Sequence, residues 1–475
     1  MTRVTRCQKH LFYSQPAIPH VASCLPLTSH QPSIRRKVTR KAVMLPEGWS
    51  RRPLHEVADV RTGVAKGKTG LTDPVELPYL RVANVQDGFI DLSEVKTIAV
   101  ERHQIDRYSL QAGDILMTEG GDFDKLGRGA VWSGTIDPCL HQNHVFAVRA
   151  KRELVNPLFL SALSGSEYGR TYFLGCAKRS TNLASINSSQ LKAFPVLLPP
   201  VAEQNQIAHI LSTWDQAIAT TEHLLANGRM QWNALIGITL HLPSANPDSS
   251  APAENNNFPA SVQPGIPTLP PAPPEWRRIQ LGDHLKEVRR QAVLTKNETY
   301  TLVTVKRSRG GVALREVLQG KEVKTPTQFY VHTDDFLISK RQIVHGACGI
   351  VPPALDGAVV SNEYAVLNTD GEIDLQFLRY LSETRYFQQT CFHSSIGVHV
   401  EKMIFKVDHW LNWPFNIPPL ARQQHIVEIL DIASREIAAI SKQLKALKRE
   451  KSALMSQLIT GKRRVRLPAG GASTA

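Results

Sequence analysis

The chain has 475 residues and a mass of 52.8 kDa, room for two to four domains that each bury a core, which excludes a miniature disulfide-stapled scaffold. Its hydrophobic (42%) and charged (21%) fractions are those of an ordinary globular protein, and no apolar run approaches the roughly 18 to 20 residues that span a bilayer, which excludes an integral membrane protein. A net charge of +14 favours a polyanionic partner, although the first 43 residues hold eight basic residues and no acid, leaving roughly +6 for the remainder by subtraction.

In chain order, residues 1–43 are rich in Ser, Thr and Pro, show no helical or strand period and lack the apolar region of a secretory signal. They are expected to be a disordered basic extension, with Met44 as an alternative start. Residues 44–199 read as a first mixed α/β globule of short strands such as LPYLRVANV, and residues 200–240 as a long helix. Residues 241–273 hold about ten prolines and no apolar period, so they are expected to be a linker that joins no core. A second globule over 274–418, with TYTLVTVKRS as a strand, precedes a second long helix over 419–461 and a basic, flexible tail over 462–475. The six cysteines, Cys7, Cys24, Cys139, Cys176, Cys348 and Cys391, form no C-x-x-C pair, which argues against a zinc cluster or disulfide framework and fits a cytoplasmic setting.

The two sides of the linker repeat one another. LPEGWSRRPL (residues 45 to 54) matches PPEWRRIQL (273 to 281), with Trp49 and Trp276 each five positions ahead of a leucine. GDILM and DDFLI follow, then Asn143 and Asn362 ahead of HVFAVR and EYAVL, then NPLFLSALS and DLQFLRYLS. FPVLLPPVAEQNQIAHIL aligns without a gap to WPFNIPPLARQQHIVEIL. After the paired prolines, which start a helix but do not continue one, apolar positions recur at steps of three and four. They are Ile207, Leu211, Ile218, Leu225 and Leu235 in the first helix, with Trp214 and Trp232, and Thr221 and Gly228 as weaker members. The second supplies Ile426, Leu430, Ala433, Ile437, Ile440, Leu444, Leu447, Leu454 and Leu458, with Lys451 breaking the series. A helix of about 40 residues spans roughly 60 Å, longer than a globule of 150 residues is wide, so each is expected to project and pair antiparallel with the other. That places the globules at opposite ends of a dumbbell with pseudo-twofold symmetry.

These residues resemble the specificity subunit of type I restriction-modification systems: P-E-G-W at the opening, a central G-D-I-L, the P-P-x-x-E-Q-x-x-I entry into a long helix, the duplication, and the closing LITGKRRV. The resemblance covers about residues 45 to 466. It implies two target recognition domains, each reading half of a bipartite DNA site, with the paired helices setting the spacer and docking two modification subunits. It also implies restriction and translocase subunits in the full complex, with S-adenosylmethionine, ATP and Mg2+ bound by those partners and no cofactor on this chain. The chain departs from the family pattern at Arg422, where glutamate is usual, and in a first helix that ends LIGITLHL without a basic tail.

No catalytic motif stands beside this reading. LPPV, VPPA and IPPL lack the polar residue before the prolines and the aromatic after them that an adenine methyltransferase loop needs, and no Walker motif occurs. Asp122, Asp124 and Lys125 in TEGGDFDKLGRG superficially resemble a metal-dependent nuclease, but lie in one glycine-rich segment rather than on converging elements, so no metal site is expected. A DNA-facing loop whose glycines let the backbone approach the duplex is the preferred reading. Arg and Lys suit guanine, Asn and Gln suit adenine, and any cation suits phosphate. The candidate DNA contacts are therefore Lys66, Lys68, Lys125, Arg128, Lys178, Arg179 and Asn182 in the first globule, and Lys306, Arg307, Arg309, Lys340, Arg341 and Gln342 in the second. The KRRVR tail suits either DNA or a modification subunit. The alternatives are a restriction enzyme, alone or as the recognition half of a fused complex, with its own nuclease, and a coiled-coil adaptor that binds only protein.

Overall fold

The computed structural model describes residues 45–67, 70–121, 126, 127, 129–179, 184–245 and 265–467. Both globules are mixed α/β, and the duplication extends to strand order. In the first, Ala58–Thr62, Val145–Ala150, Ile115–Thr118 and Gly129–Val131 form an antiparallel four-stranded sheet in that spatial order. In the second, Leu285–Glu287, Tyr364–Thr369, Phe336–Ser339 and Cys348–Ile350 repeat it. The uninterrupted apolar runs of the GDILM and DDFLI segments explain their central place: every residue of Ile115–Thr118 and of Phe336–Ser339 is buried.

A second sheet is also shared. Pro74–Leu80 pairs antiparallel with Lys96–Glu101 and parallel with Leu140–His141. Thr299–Val305 pairs antiparallel with Val312–Gln319 and parallel with Val359–Ser361, and the second globule adds Gln291–Ala292 and Gln328–Tyr330 at the far edge. Of LPYLRVANV, only the part up to Leu80 is strand, because Val82–Asn84 turns into a short 3-10 helix held by the Asn84 side chain. Two short helices follow in each repeat. Asn156 caps Pro157–Gly165 through Leu158 and Phe159, and Asp374 caps Leu375–Leu381 through Phe377.

Ser50–Pro53 pairs with Pro195–Leu198, and Arg277–Gln280 with Pro414–Ile417, so the opening of each repeat closes on the strand that launches its long helix. Those helices are Val201–Leu240 and Leu420–Ile459, 40 residues each. A buried glutamine on the first turn ties each to its globule. Gln204 accepts from Asn156 N (2.8 Å) and donates to the carbonyls of Leu154 (3.0 Å) and Pro199 (2.8 Å). Gln423 accepts from Asp374 N (2.8 Å) and donates to Glu372 O (2.8 Å) and Pro418 O (3.0 Å).

The helices pack on each other and run antiparallel. Lys451 pairs with Asp215, Lys448 Nζ lies 2.6 Å from Glu222 Oε1, and Gly228 faces Ile437, so positions rise along one helix as they fall along the other. Ile207, Leu211, Leu225, Ile426, Leu430 and Leu458 are buried; Ile218, Leu235, Ile437, Ile440, Leu444, Leu447 and Leu454 are half-buried, as a two-stranded rod open to solvent on both flanks requires. Asp215 explains why Lys451 interrupts the apolar series without breaking the pairing.

Each helix ends on the other repeat's globule. Trp232, Ile236 and Leu240 join the apolar core of the second globule together with Ile426 and Leu430, and Trp232 Nε1 donates to Glu383 Oε2 (3.0 Å). At the opposite end the turn after the second helix places Gly461 against Pro46 and Trp49. The globules therefore sit at the two ends of the rod. The linker departs from expectation at its edges. Leu242 and Ala245 are buried and Ser244 bridges to Thr384, because the first helix delivers them to the second globule's surface, while Leu269 packs on the same core. Residues 246–264 and the basic extension lie outside the described residues.

Candidate nucleic-acid interface

In the second globule a tight turn follows strand Thr299–Val305. Ser308 and Arg309 adopt left-handed backbone (φ 54° and 57°), and their amides donate to His345 O (2.7 Å) and Gly346 O (2.8 Å). This zips the VKRSRGG loop to the SKRQIVHG loop. The candidates Lys306, Arg307, Arg309, Lys340, Arg341 and Gln342 thus belong to one connected surface. Arg307 Nε donates to Gln342 Oε1 (2.7 Å), and Lys306 and Arg341 are exposed.

The cations are matched by carboxylates that sequence reasoning missed. Lys340 Nζ lies 3.1 Å from Glu287, Arg341 Nε 2.5 Å from Glu363, and Arg307 3.1 Å from Glu401. The His345 ring also lies 3.1 Å from Glu401. Burial raises the Glu287 carboxyl, but hydrogen bonds from Arg289 and Lys340 outweigh it and hold Glu287 below the ordinary range. Burial and the Arg307 charge lower the His345 imidazole, against the opposing pull of Glu401. The exposed Arg341–Glu363 and Arg307–Glu401 pairs are weak enough to be exchanged for another anion, whereas the Lys340–Glu287 pair is largely buried.

Glu401 belongs to a hairpin, Ser395–Ile396 with Ile404–Phe405, joined to the cluster where Phe405 N donates to Lys340 O (2.8 Å). Its tip carries Val398, 94% exposed. The repeat offered a signal for this hairpin: it follows the second pair of short helices, as AKRSTN follows the first.

In the first globule Lys178–Arg179 pairs with Ala184–Ser185, which pairs with Gly120–Gly121, so AKRSTN and the start of TEGGDFDKLGRG share a small sheet. Lys178 is exposed, and Lys66 is exposed on a separate turn; Lys68, Lys125, Arg128 and Asn182, with Asp122 and Asp124, lie outside the described residues. Two of this loop's glycines have a packing reason within the fold. A side chain at Gly129 would meet Leu116 O at 2.4 Å and one at Gly120 would meet Ala184 O at 3.0 Å, so they admit the protein's own strands. Among the described residues no group of His, Cys, Asp and Glu is arranged to hold a metal ion, and the four described cysteines are free.

The tail arginine Arg464 turns onto the first globule. Its guanidinium reaches both oxygens of Glu203 (2.7 and 2.8 Å) and the Glu47 carbonyl (3.1 Å). Glu203 is 2% exposed and also accepts from Trp49 Nε1 (3.2 Å).

Fold and loops together define a duplicated, two-headed protein whose heads are held apart by their own paired helices. Residues 46–227 and 273–449 each match the model of the type I restriction modification DNA specificity domain, and the chain belongs to that family. It is similar to the MjaX type I restriction enzyme specificity subunit of Methanocaldococcus jannaschii, 31% identical over 178 residues, which are 37% of this chain and 41% of that one. It is also similar to the EcoKI specificity subunit of Escherichia coli K12, 27% identical over 135 residues, 27% of this chain and 28% of that one. The match therefore spans well under half the length of either curated relative. A chain from a structure of type I R-M complex assembly and conformational transition shares the fold, covering 88% of this chain and 100% of its own, with a TM-score of 0.51 at 18% identity. No helix among the described residues is long and apolar enough to cross a membrane.

Proposed function

We propose that this chain is the DNA sequence-recognition subunit of a type I restriction-modification complex. Residues 44–199 and 274–418 are two readers, each taking one half of a bipartite double-stranded site. The helices set the unread spacer and dock two modification subunits, and restriction and translocase subunits complete the assembly. The chain itself carries no catalysis; S-adenosylmethionine, ATP and Mg2+ act on the partners, in the cytoplasm. The observation that carries this reading is the antiparallel pairing of Val201–Leu240 with Leu420–Ile459, which fixes two like-folded heads at a set separation. Half-sites on one face of B-DNA recur at about 34 Å or its multiples, so a stiff rod turns distance into specificity.

The candidate cations of both heads are the proposed contacts, with Glu363 and Glu401 as the acids that Arg341 and Arg307 leave. The full-length chain is to be assembled with its modification subunits and assayed for adenine methylation. Modification of two half-sites across a fixed gap, with DNA affinity falling steeply as salt rises, is the expected result. Cutting or methyl transfer by the purified chain alone, given Mg2+ or S-adenosylmethionine, would refute it, and salt-independent or absent DNA binding by the complex would leave only a protein adaptor.

A further inference from the structure

The two junctions between head and rod are related by the repeat yet differ in chemistry. At the first head, Trp49 is buried, Glu203 lies beneath it, Gly461 (φ 71°) packs over it, and Arg464 grips Glu203 three residues further on. At the second head, Trp276 stands for Trp49 and meets His241 edge-on with ring centres 5.2 Å apart; His241 (φ 52°) takes the left-handed turn at the end of its helix that Gly461 takes one position later at the end of the other. There Arg422 stands for Glu203, and the buried, uncharged Ala245 stands for Arg464 in the same gap-free register. The two departures from the family pattern noted in the sequence, an arginine at 422 and no basic tail on the first helix, are thus two halves of one missing ion pair.

What holds each head is correspondingly different. The second head is sealed by apolar burial of Trp232, Ile236, Leu240 and Leu242, and by backbone bonds from Ala245 N to Glu383 O (2.7 Å) and Arg385 N to Pro243 O (2.7 Å). The first head has the Arg464 fork on a buried carboxylate. Without Arg464, Glu203 keeps only the Trp49 N–H among these partners, and a buried carboxylate so deprived draws in water or another donor by moving the elements around it.

We propose that Arg464 and Glu203 are positioning residues that lock the angle of the first head on the rod, and thereby set the spacer that the complex accepts. This rests on the function proposed above. The test uses full-length chain assembled with its modification subunits, and methylation rates on duplexes whose spacer is the preferred length or one base pair longer or shorter. Wild type establishes the preference; if it methylates no bipartite site, the functional reading itself fails. Given a defined preference, Arg464→Ala and Glu203→Gln should each reduce discrimination between spacers by about fivefold or more, the scale of coupling between contacting charged groups. The double variant should do no worse than the stronger single. Arg422→Ala, at the junction without the pair, should leave discrimination unchanged.

A purely structural role would lower the melting temperature and total rate while leaving the ratio between spacers as in wild type; that ratio unchanged in Arg464→Ala overturns the proposal, as do additive effects in the double variant. If Arg464→Ala does not assemble, Arg464→Lys keeps the charge and loses the two-pronged contact. It should relax the spacer ratio in the same sense by a smaller factor, and an unchanged ratio there also overturns the proposal.

Discussion

His141 is 1% exposed on the strand Leu140–His141, and neither ring nitrogen completes a well-formed hydrogen bond. Burial pushes its imidazole down to about 4; interactions with the Tyr108 and Arg61 backbone and the Asp114 charge offset this only in part. The folded protein therefore keeps the ring neutral between about pH 6.5 and 4 while the unfolded chain protonates it. Stability is complete above pH 6.5 and is lost as pH falls through that window, by up to about 3 kcal/mol at its lower end. The repeat places Val360 at the equivalent position, two residues before Asn362, where it is 2% exposed. His141→Val should flatten the decline in melting temperature between pH 6.5 and 4 measured by calorimetry; an unaltered pH profile would assign the acid sensitivity to other groups. Other paired residues keep a role while changing its source. Asp114 is held by Arg149 from the neighbouring strand (2.7 Å), whereas in the second globule Asn368 stands for that arginine and Arg290 reaches Asp335 instead (2.7 Å).

At the scale of elements, the rod is a matched pair, and its length is set by both helices together. Removing one heptad from the second helix alone shifts Lys448 and Lys451 away from Glu222 and Asp215 and misaligns the seam. Removing residues 216–222 and 444–450 together deletes opposing heptads, retains Asp215 with Lys451, and shortens the rod by about 10 Å at 1.5 Å per residue. That is about three base-pair steps at 3.4 Å. Methylation of a duplex series should show the preferred spacer moved by about that amount, and an unmoved preference would mean the helices do not gauge distance. Both helices and their antiparallel pairing were legible from steps of three and four around paired prolines. The anchoring role of Gln204 and Gln423 was not, because their partners, the amides and carbonyls near 154–156 and 372–374, lie about 50 residues away and are backbone, which residue type does not mark.

For the whole molecule, separate heads imply separable readings. Replacing Lys340 and Arg341 together by alanine removes two cations from the second head's loop cluster while leaving the first head about a rod's length away. Selectivity for one half-site should fall by on the order of tenfold or more, at about 1 to 3 kcal/mol per specific contact, with the other unchanged. Methylation of duplexes mutated in one half or the other measures this, and equal loss at both would contradict independent readers. The cation clusters were legible as short basic motifs; the acids that occupy them were not, since Glu287, Glu363 and Glu401 reach the cluster from three separate segments. The course of the chain past the first helix has one more outcome. Ala245 leaves from Glu383 of the second globule, and Gly265 returns to the same globule at His393 (2.7 Å). The two anchors on either side of the proline-rich stretch therefore stand on one body rather than on two. Changes in the length of chain between those two anchors are accordingly expected to bear on one head and to leave the gauge between the heads as it was.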